Sequence, residues 1–455
     1  PVCVYSGSLG YLCLSISRTL AYPLLIRFVA FFTDAPGAIP TIQLIFGLGA
    51  ILFLAEAFQR LFRNFLVSLL MGIWLMFNWP MIEHTFYILT DYPFFSMVCL
   101  QFGIAILAFI NPSPRRLVAL AIATALAIWI RPVGIFMVIV VPFLLFAHPR
   151  VWRTVTGYLV IPLVALGLSQ AMANKAIFGY FGLSVVGGYS MVGNVMFFLK
   201  EDTPSRHPEM IRELYGQVRP VQEKYLAIRT YKEKVAYNFS MNNKLISSSS
   251  RFILKYGKDN RTITYSDTTS LAKFVGSINE LSPLNKKFGR LGVREISYWL
   301  WLDRQLSDLA TKSILHNPSG WFGLVWPNLR FAWDMVIPNN LMPERGFVTR
   351  PTLRLDKKSF GAYLPSSGLE MVNFPVINVQ VFNGIASTLF WLAKVISIPW
   401  TVLISTIGVV VLFFRNLYLK RRVPPDISAL MYLTACLFSY HIILAAASIP
   451  LPRLI

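Results

Sequence analysis

Chemistry in an apolar chain has to come from the few ionisable residues placed at membrane depth or at the ends of apolar runs. A charge there is costly and needs a partner. Four sets fit: Arg18 and Arg27 in "SRTLAYPLLIRF", Glu83 with His84, Asp91 in "ILTDYPFF", and Arg131 in "IWIRPVGIF". A carboxylate so placed can take a proton from an attacking group, and an arginine can grip an anion through its planar fork of donors. Each set also has a plain structural reading. Arg18 and Arg27 can snorkel to headgroups, and Glu83 with His84 can be a solvated loop pair. Asp91 can act as a cap before a proline-started helix. For Arg131 the plain reading is an ion pair with Asp91 or Glu83. The sequence holds no phosphate loop, Cys/His metal cluster or nucleophile elbow, and Glu83-His84 alone is too little for a zinc site.

The elements that position these residues follow from composition. Of 455 residues, 55% are hydrophobic and 14% charged, with eleven tryptophans and a positive mean hydropathy. Several apolar runs reach the roughly 20 residues that a bilayer-crossing helix needs. The fold class expected is an all-α polytopic membrane protein. Spans are predicted near 38–58, 65–80, 94–110, 155–174, 383–414 and 428–448. Between them lie basic connections: Arg60 and Arg63, Arg115 and Arg116, Arg150 and Arg153, then Arg415, Lys420, Arg421 and Arg422. Short loops rich in Lys and Arg stay in the cytoplasm. Placing all four clusters inside puts residues 1–36, 81–92 and 176–381 outside. The chain then divides into an N-terminal membrane and interfacial region (1–175), an extracytoplasmic mixed domain (176–381) and a C-terminal membrane region (382–455).

That parity decides how residues 117–147 are read. One helix through them would put Arg115/Arg116 and Arg150/Arg153 on opposite sides. Two half-spans keep both clusters inside and place Arg131 at the outer apex, with Pro132 supplying the break because it lacks an N–H and clashes with the preceding turn. Each half is expected to be about 21 Å long, short of the roughly 30 Å hydrocarbon core.

The segment "GYLCLSISRTLAYPLLIRFVAFF" is amphipathic and cannot be a span under this parity, so it is expected to lie along the interface. The outer segment is polar and basic, and its "NPSGWFGLVWPNLRFAWDM" has the aromatic density of an interface belt. Asn238-Phe-Ser and Asn260-Arg-Thr fit the glycosylation triplet, which also arises by chance. Cys99 and Cys436 lie in apolar spans, while Cys3 and Cys13 could pair. A formal charge of +21 points to anionic partners such as phospholipid headgroups or phosphorylated lipids. Nucleic acid is set aside, because the basic residues are divided among short loops and one large one. The abrupt start "PVCVYSGS" and the end "SIPLPRLI" suggest a piece of a longer chain.

Three stretches resemble a known family in order and placement. "SRTLAYPLLIRF" (17–28) resembles an R-T-x-G-Y-P segment of a first outer loop. "ILTDYPFF" (88–95) resembles an L-T-E-x-L-F segment, and "IWIRPVGIF" (128–136) an R-P-x-G segment between two short spans. Together they resemble integral membrane glycosyltransferases of the GT-C fold, the group of protein O-mannosyltransferases and aminoarabinose transferases. The likeness covers about residues 5–200 and the closing "AAASIPLPRL". It implies a GT-C-like helix bundle with interfacial helices and a large extracytoplasmic domain. It also implies a sugar donor carried on polyprenyl phosphate, and inverting transfer to a glycolipid, polysaccharide or protein acceptor on the outer face of a bacterial inner membrane. Asp91 and Glu83 would be the catalytic acids, with Arg18, Tyr22, His84 and Arg131 binding substrate. No cofactor is called for, with a divalent metal left open. The family's acidic residue before the interfacial helix falls on Gly7 here, which leaves a shifted alignment, Asp91 as base, or an impaired chain. Two rivals stand beside this reading: a transporter or flippase for a lipid-linked anion, and a non-catalytic homologue that binds polyprenyl phosphate.

Overall fold

The computed structural model describes residues 21–32, 38–76, 90–178, 181–183, 187–256, 293–335, 399–420 and 423–447. Secondary structure among them is helical, with no strand. The mixed structure expected of 176–381 is therefore corrected: its described residues form helices.

The N-terminal region runs α1 (Ala21–Phe32), α2 (Ala38–Phe62), α3 (Phe65–Met76), α4 (Asp91–Ile110) and α5 (Pro114–Ile130). A 3-10 segment (Pro132–Ile139) and α6 (Val140–Ala147) follow, then α7 (Trp152–Val155), a π turn (Thr156–Val160) and α8 (Ile161–Phe178). Among the described residues, three stretches are long and apolar enough to cross a membrane: Ala38–Phe62, Asp91–Ile110 and Pro149–Ala176. Their outer faces are apolar and exposed, with Ile45, Phe46 and Leu52 on α2 and Ile161, Val164, Leu168 and Met172 on α8. Contiguous apolar surface of this kind suits lipid and not water. Helix α1, about 18 Å long, is too short to cross. It buries Tyr22, Ile26 and Val29 at a spacing of three to four and exposes Leu24, Phe28 and Phe31 on its other side.

The turn between α2 and α3 is tight. Arg63 takes a positive φ of 53°, and its N–H reaches back to the Gln59 carbonyl at 2.8 Å. Asn64 then caps α3, its Oδ1 accepting from the Val67 N–H at 3.2 Å. Helix α3 stops at Met76 within the expected 65–80 span, whose last residues lie outside the described ones. The expected 383–414 span is described only from Pro399, as α14 below, and runs past 414 to Lys420.

The region after Leu117 is a hairpin. Helix α5 packs on α4, and the chain folds back after Arg131. A Cβ on Gly134 would lie 3.0–3.1 Å from backbone atoms of Ala127 and Ile128, so a glycine is what allows the returning leg this close. At the far end, the His148 ring nitrogen lies 2.7 Å from the Phe109 carbonyl. Beside it, Arg116 Nη1 donates to the Leu107 and Asn111 carbonyls at 3.0 Å. Residues 107–116 and 148 therefore share one end of the bundle, and Asp91 and Arg131 the other. The halves are longer than about 21 Å: α5 spans roughly 25 Å and the returning leg about 28 Å, because a 3-10 helix rises about 2.0 Å per residue.

The described residues of 176–381 carry α9 (Gly187–Val195), α10 (Pro208–Ala227), α11 (Tyr231–Tyr256), α12 (Val293–His316) and α13 (Pro318–Met335). Their shared core includes Met196, Phe197, Ile211, Leu214, Leu306 and Ala310. Asn238 is buried there, so its triplet is closed to glycosylation in the folded chain; Asn260 lies outside the described residues. Helices α14 (Pro399–Lys420) and α15 (Pro425–Ala447) are the last described. Helix α15 packs along α4, the 3-10 leg and α6. Its Tyr432 hydroxyl donates to Gln101 Oε1 at 2.7 Å, and Gln101 Nε2 donates to Thr124 Oγ1 at 3.3 Å. All three are fully buried, and such bonds tie helices together where lipid offers no alternative partner.

Candidate functional site

Asp91 and Arg131 meet because three local rules coincide. Proline disfavours the helical conformation in the residue before it, so Pro132 ends α5 at Ile130 and leaves Arg131 extended at φ −144°, ψ 123°. The Arg131 N–H still closes the helix on the Ala127 carbonyl at 2.9 Å, and its own carbonyl accepts from Gly134 at 2.9 Å. On the neighbouring helix Thr90 is the cap residue, and it offers no side-chain capping bond. Asp91 is thus the first helical residue of α4, and the cap reading of its carboxylate gives way to the ion pair. A negative side chain is favoured there by the helix dipole.

Arg131 Nη1 lies 2.5 Å from Asp91 Oδ1. The side chains are 35% and 22% exposed, so the pair is sheltered and still reachable. The Arg131 guanidinium also sits 5.8 Å from the centre of the Phe94 ring, one turn into α4. Few surroundings suit a guanidinium better than a carboxylate at its edge and an aromatic face below.

The remaining motif stretch, "LAYP", is joined to this end through α2. Tyr22, at the start of α1, is fully buried, and its hydroxyl accepts from Gln43 Nε2 at 2.5 Å. One turn along α2, a Cβ on Gly47 would lie 2.1 Å from the Tyr92 hydroxyl, so Tyr92 lies directly over the backbone at that glycine. Helix α1 also touches α5. "LAYP", "TDYP" and "IRPVG" are therefore packed together at one end of the bundle, Tyr22 and Tyr92 as walls and Asp91 with Arg131 as the charged centre. Sequence reasoning passed over Phe94, Gln43 and Gly47. Gln43 carried a readable signal, a carboxamide inside an apolar span.

Arg18, Glu83, His84 and Gly7 lie outside the described residues, as do Cys3 and Cys13; the side chain of Arg27 is likewise not described. Among the described residues no group of three His, Cys, Asp or Glu could hold a metal ion. A second charged cluster lies on α10 and α11, where Lys255 Nζ contacts both Glu213 oxygens at 2.8 Å and the Tyr256 hydroxyl donates to Glu213 at 2.6 Å. The Lys255 bond first, then the Tyr256 bond, holds the Glu213 carboxyl below the usual range. That cluster is exposed and its charges satisfy one another, an arrangement worth little beyond the surface.

Comparison with known proteins returns nothing: no family model matches the chain, no curated protein matches its sequence, and no solved structure matches its fold.

Proposed function

We propose that the chain is a membrane glycosyltransferase that moves a sugar from a polyprenyl-phosphate carrier to an extracytoplasmic acceptor. The observation that carries this reading is the reachable Asp91–Arg131 pair, 2.5 Å apart, at the end of the bundle where the three motif stretches pack together. The acceptor is a glycolipid, polysaccharide or protein with a free hydroxyl. Its oxygen bonds to the anomeric carbon as the bond from that carbon to the phosphate oxygen breaks, and the centre inverts. Asp91 takes the hydroxyl proton, and Arg131 holds the polyprenyl phosphate that leaves. The pair gives this division of labour a physical basis. A carboxylate is a proton acceptor, and a guanidinium that holds it at one nitrogen has further donors to offer phosphate oxygens. Glu83 as a second acid, with Arg18 and His84 binding substrate, complete the proposed site, and Tyr22 contributes through its packing with Gln43.

The proposal places residues 81–92 and 176–381 outside, in a bacterial plasma membrane, by the distribution of basic connections. Single cysteines at Ser240 and Arg115, both exposed, test this placement. With the four native cysteines replaced by serine, an impermeant thiol reagent on intact cells is expected to label Ser240→Cys and spare Arg115→Cys. Equal labelling would move the site to the wrong side.

Transfer itself is tested with membranes containing the full chain and polyprenyl-phosphate donors radiolabelled in the sugar. Label is expected to move to an acceptor in the lipid, polysaccharide or protein fraction. Donor binding with no transfer from any hexosyl or pentosyl donor would leave a carrier-binding protein in place of an enzyme.

A further inference from the structure

We infer that α13 seats the outer helical domain on the membrane, its exposed aromatic face lying in the headgroup region of a bilayer. This goes beyond the transfer reaction and does not depend on it.

Helix α13 has two unlike faces. Leu324, Val325 and Asn328 are buried, and Trp321 packs on the domain core. Phe322 and Trp326, one turn apart on the opposite side, are 64% and 65% exposed. Leu315, at the end of α12, is also exposed, at 75%. Arg330 is the next exposed position along the stripe of Phe322 and Trp326, its guanidinium 4.4 Å from the centre of the Tyr231 ring. Phenylalanine and tryptophan closed by an arginine are the composition of a helix that lies in a bilayer interface.

The orientation of this stripe is fixed. Asn317 caps α13, accepting from the Gly320 N–H at 3.0 Å while its Nδ2 donates to the Phe198 carbonyl at 2.9 Å. The helix therefore cannot roll to bury Phe322 and Trp326 without breaking its own cap.

What covers the stripe is indicated by continuity. Helix α13 packs against α15, which carries no Lys, Arg or Glu from Ile427 to Ala447 and runs along the membrane helix α4. A helix resting on a span is at the height of the lipid that surrounds that span.

The test uses the full chain in nanodiscs of phosphatidylcholine and phosphatidylglycerol, with and without bromine at shallow acyl positions. Emission from Trp326 is taken as wild type minus Trp326→Phe, with Trp321→Phe as the control from the buried side. The Trp326 contribution is expected to fall to roughly half or less in brominated bilayers, since interfacial helices sit about 5–10 Å deep. The Trp321 contribution should change much less. Matching melting temperatures for the variants show that the fold is kept. Undiminished Trp326 emission in brominated bilayers overturns the inference, whether iodide reaches the residue, which marks a solvated face, or fails to, which marks a face covered by protein.

Discussion

Arg131→Lys is expected to leave the protein folded and to weaken binding of a polyprenyl-phosphate donor by about tenfold or more. A lysine can still pair with Asp91 across a distance like the present 2.5 Å. What it lacks is the fork, which lets one arginine keep a carboxylate at one nitrogen while offering others to phosphate oxygens. Losing one charge-assisted hydrogen bond costs about 1.5–3 kcal/mol, which is tenfold or more in affinity. Arg131→Met makes the opposite forecast for stability. It leaves Asp91, 22% exposed, without its cation, and should lower stability by about 1–3 kcal/mol with or without donor. Thermal stability and donor affinity, measured on both variants, separate the two roles. Donor affinity unchanged in Arg131→Lys would make the arginine a strut between α4 and α5 and nothing more.

Asp91→Asn is expected to cut transfer by at least about 10²-fold, the usual loss when a general base is removed. The asparagine keeps the shape and can still accept a hydrogen bond from Arg131, so the bundle should hold. Donor affinity should be unchanged or tighter, because Arg131 is then free of a competing carboxylate. That combination, slow turnover with intact binding, is one a structural role would not produce. Near-normal turnover in a stably folded Asp91→Asn protein would leave Asp91 as Arg131's counter-ion and turn attention to Glu83.

The ion pair was legible in the sequence because charge at membrane depth has few solutions: Arg131 needed an anion, and Asp91 was one of two within reach of the same side. The hairpin was legible too, from the parity of basic loops and from Pro132. Its dimensions were not. Counting residues at 1.5 Å each assumes an α-helix, whereas Pro132–Ile139 forms the longer 3-10 helix, and nothing in "PVGIFMVI" announces that choice. The outer domain was misread as mixed because its segment looked polar and irregular, while the apolar spacing along α10 and α11 fits helices sharing one core. Contacts such as Tyr22 with Gln43 and Tyr92 with Gly47 depend on which faces of separate helices meet, and periodicity within one helix does not carry that information.

The bond between Tyr432 and Gln101 joins positions 331 residues apart, and that separation is also an interval of time. Translation at about 5–20 residues per second puts tens of seconds between the synthesis of the two partners. Through that interval the Gln101 carboxamide has already entered the bilayer with its oxygen awaiting Tyr432. Closure of the bundle therefore waits long after Gln101 is made, and any nascent chain released before α15 would carry an unanswered polar group in its apolar centre. Such a group marks an unfinished product, the kind of flaw by which quality control tells an incomplete membrane protein from a complete one.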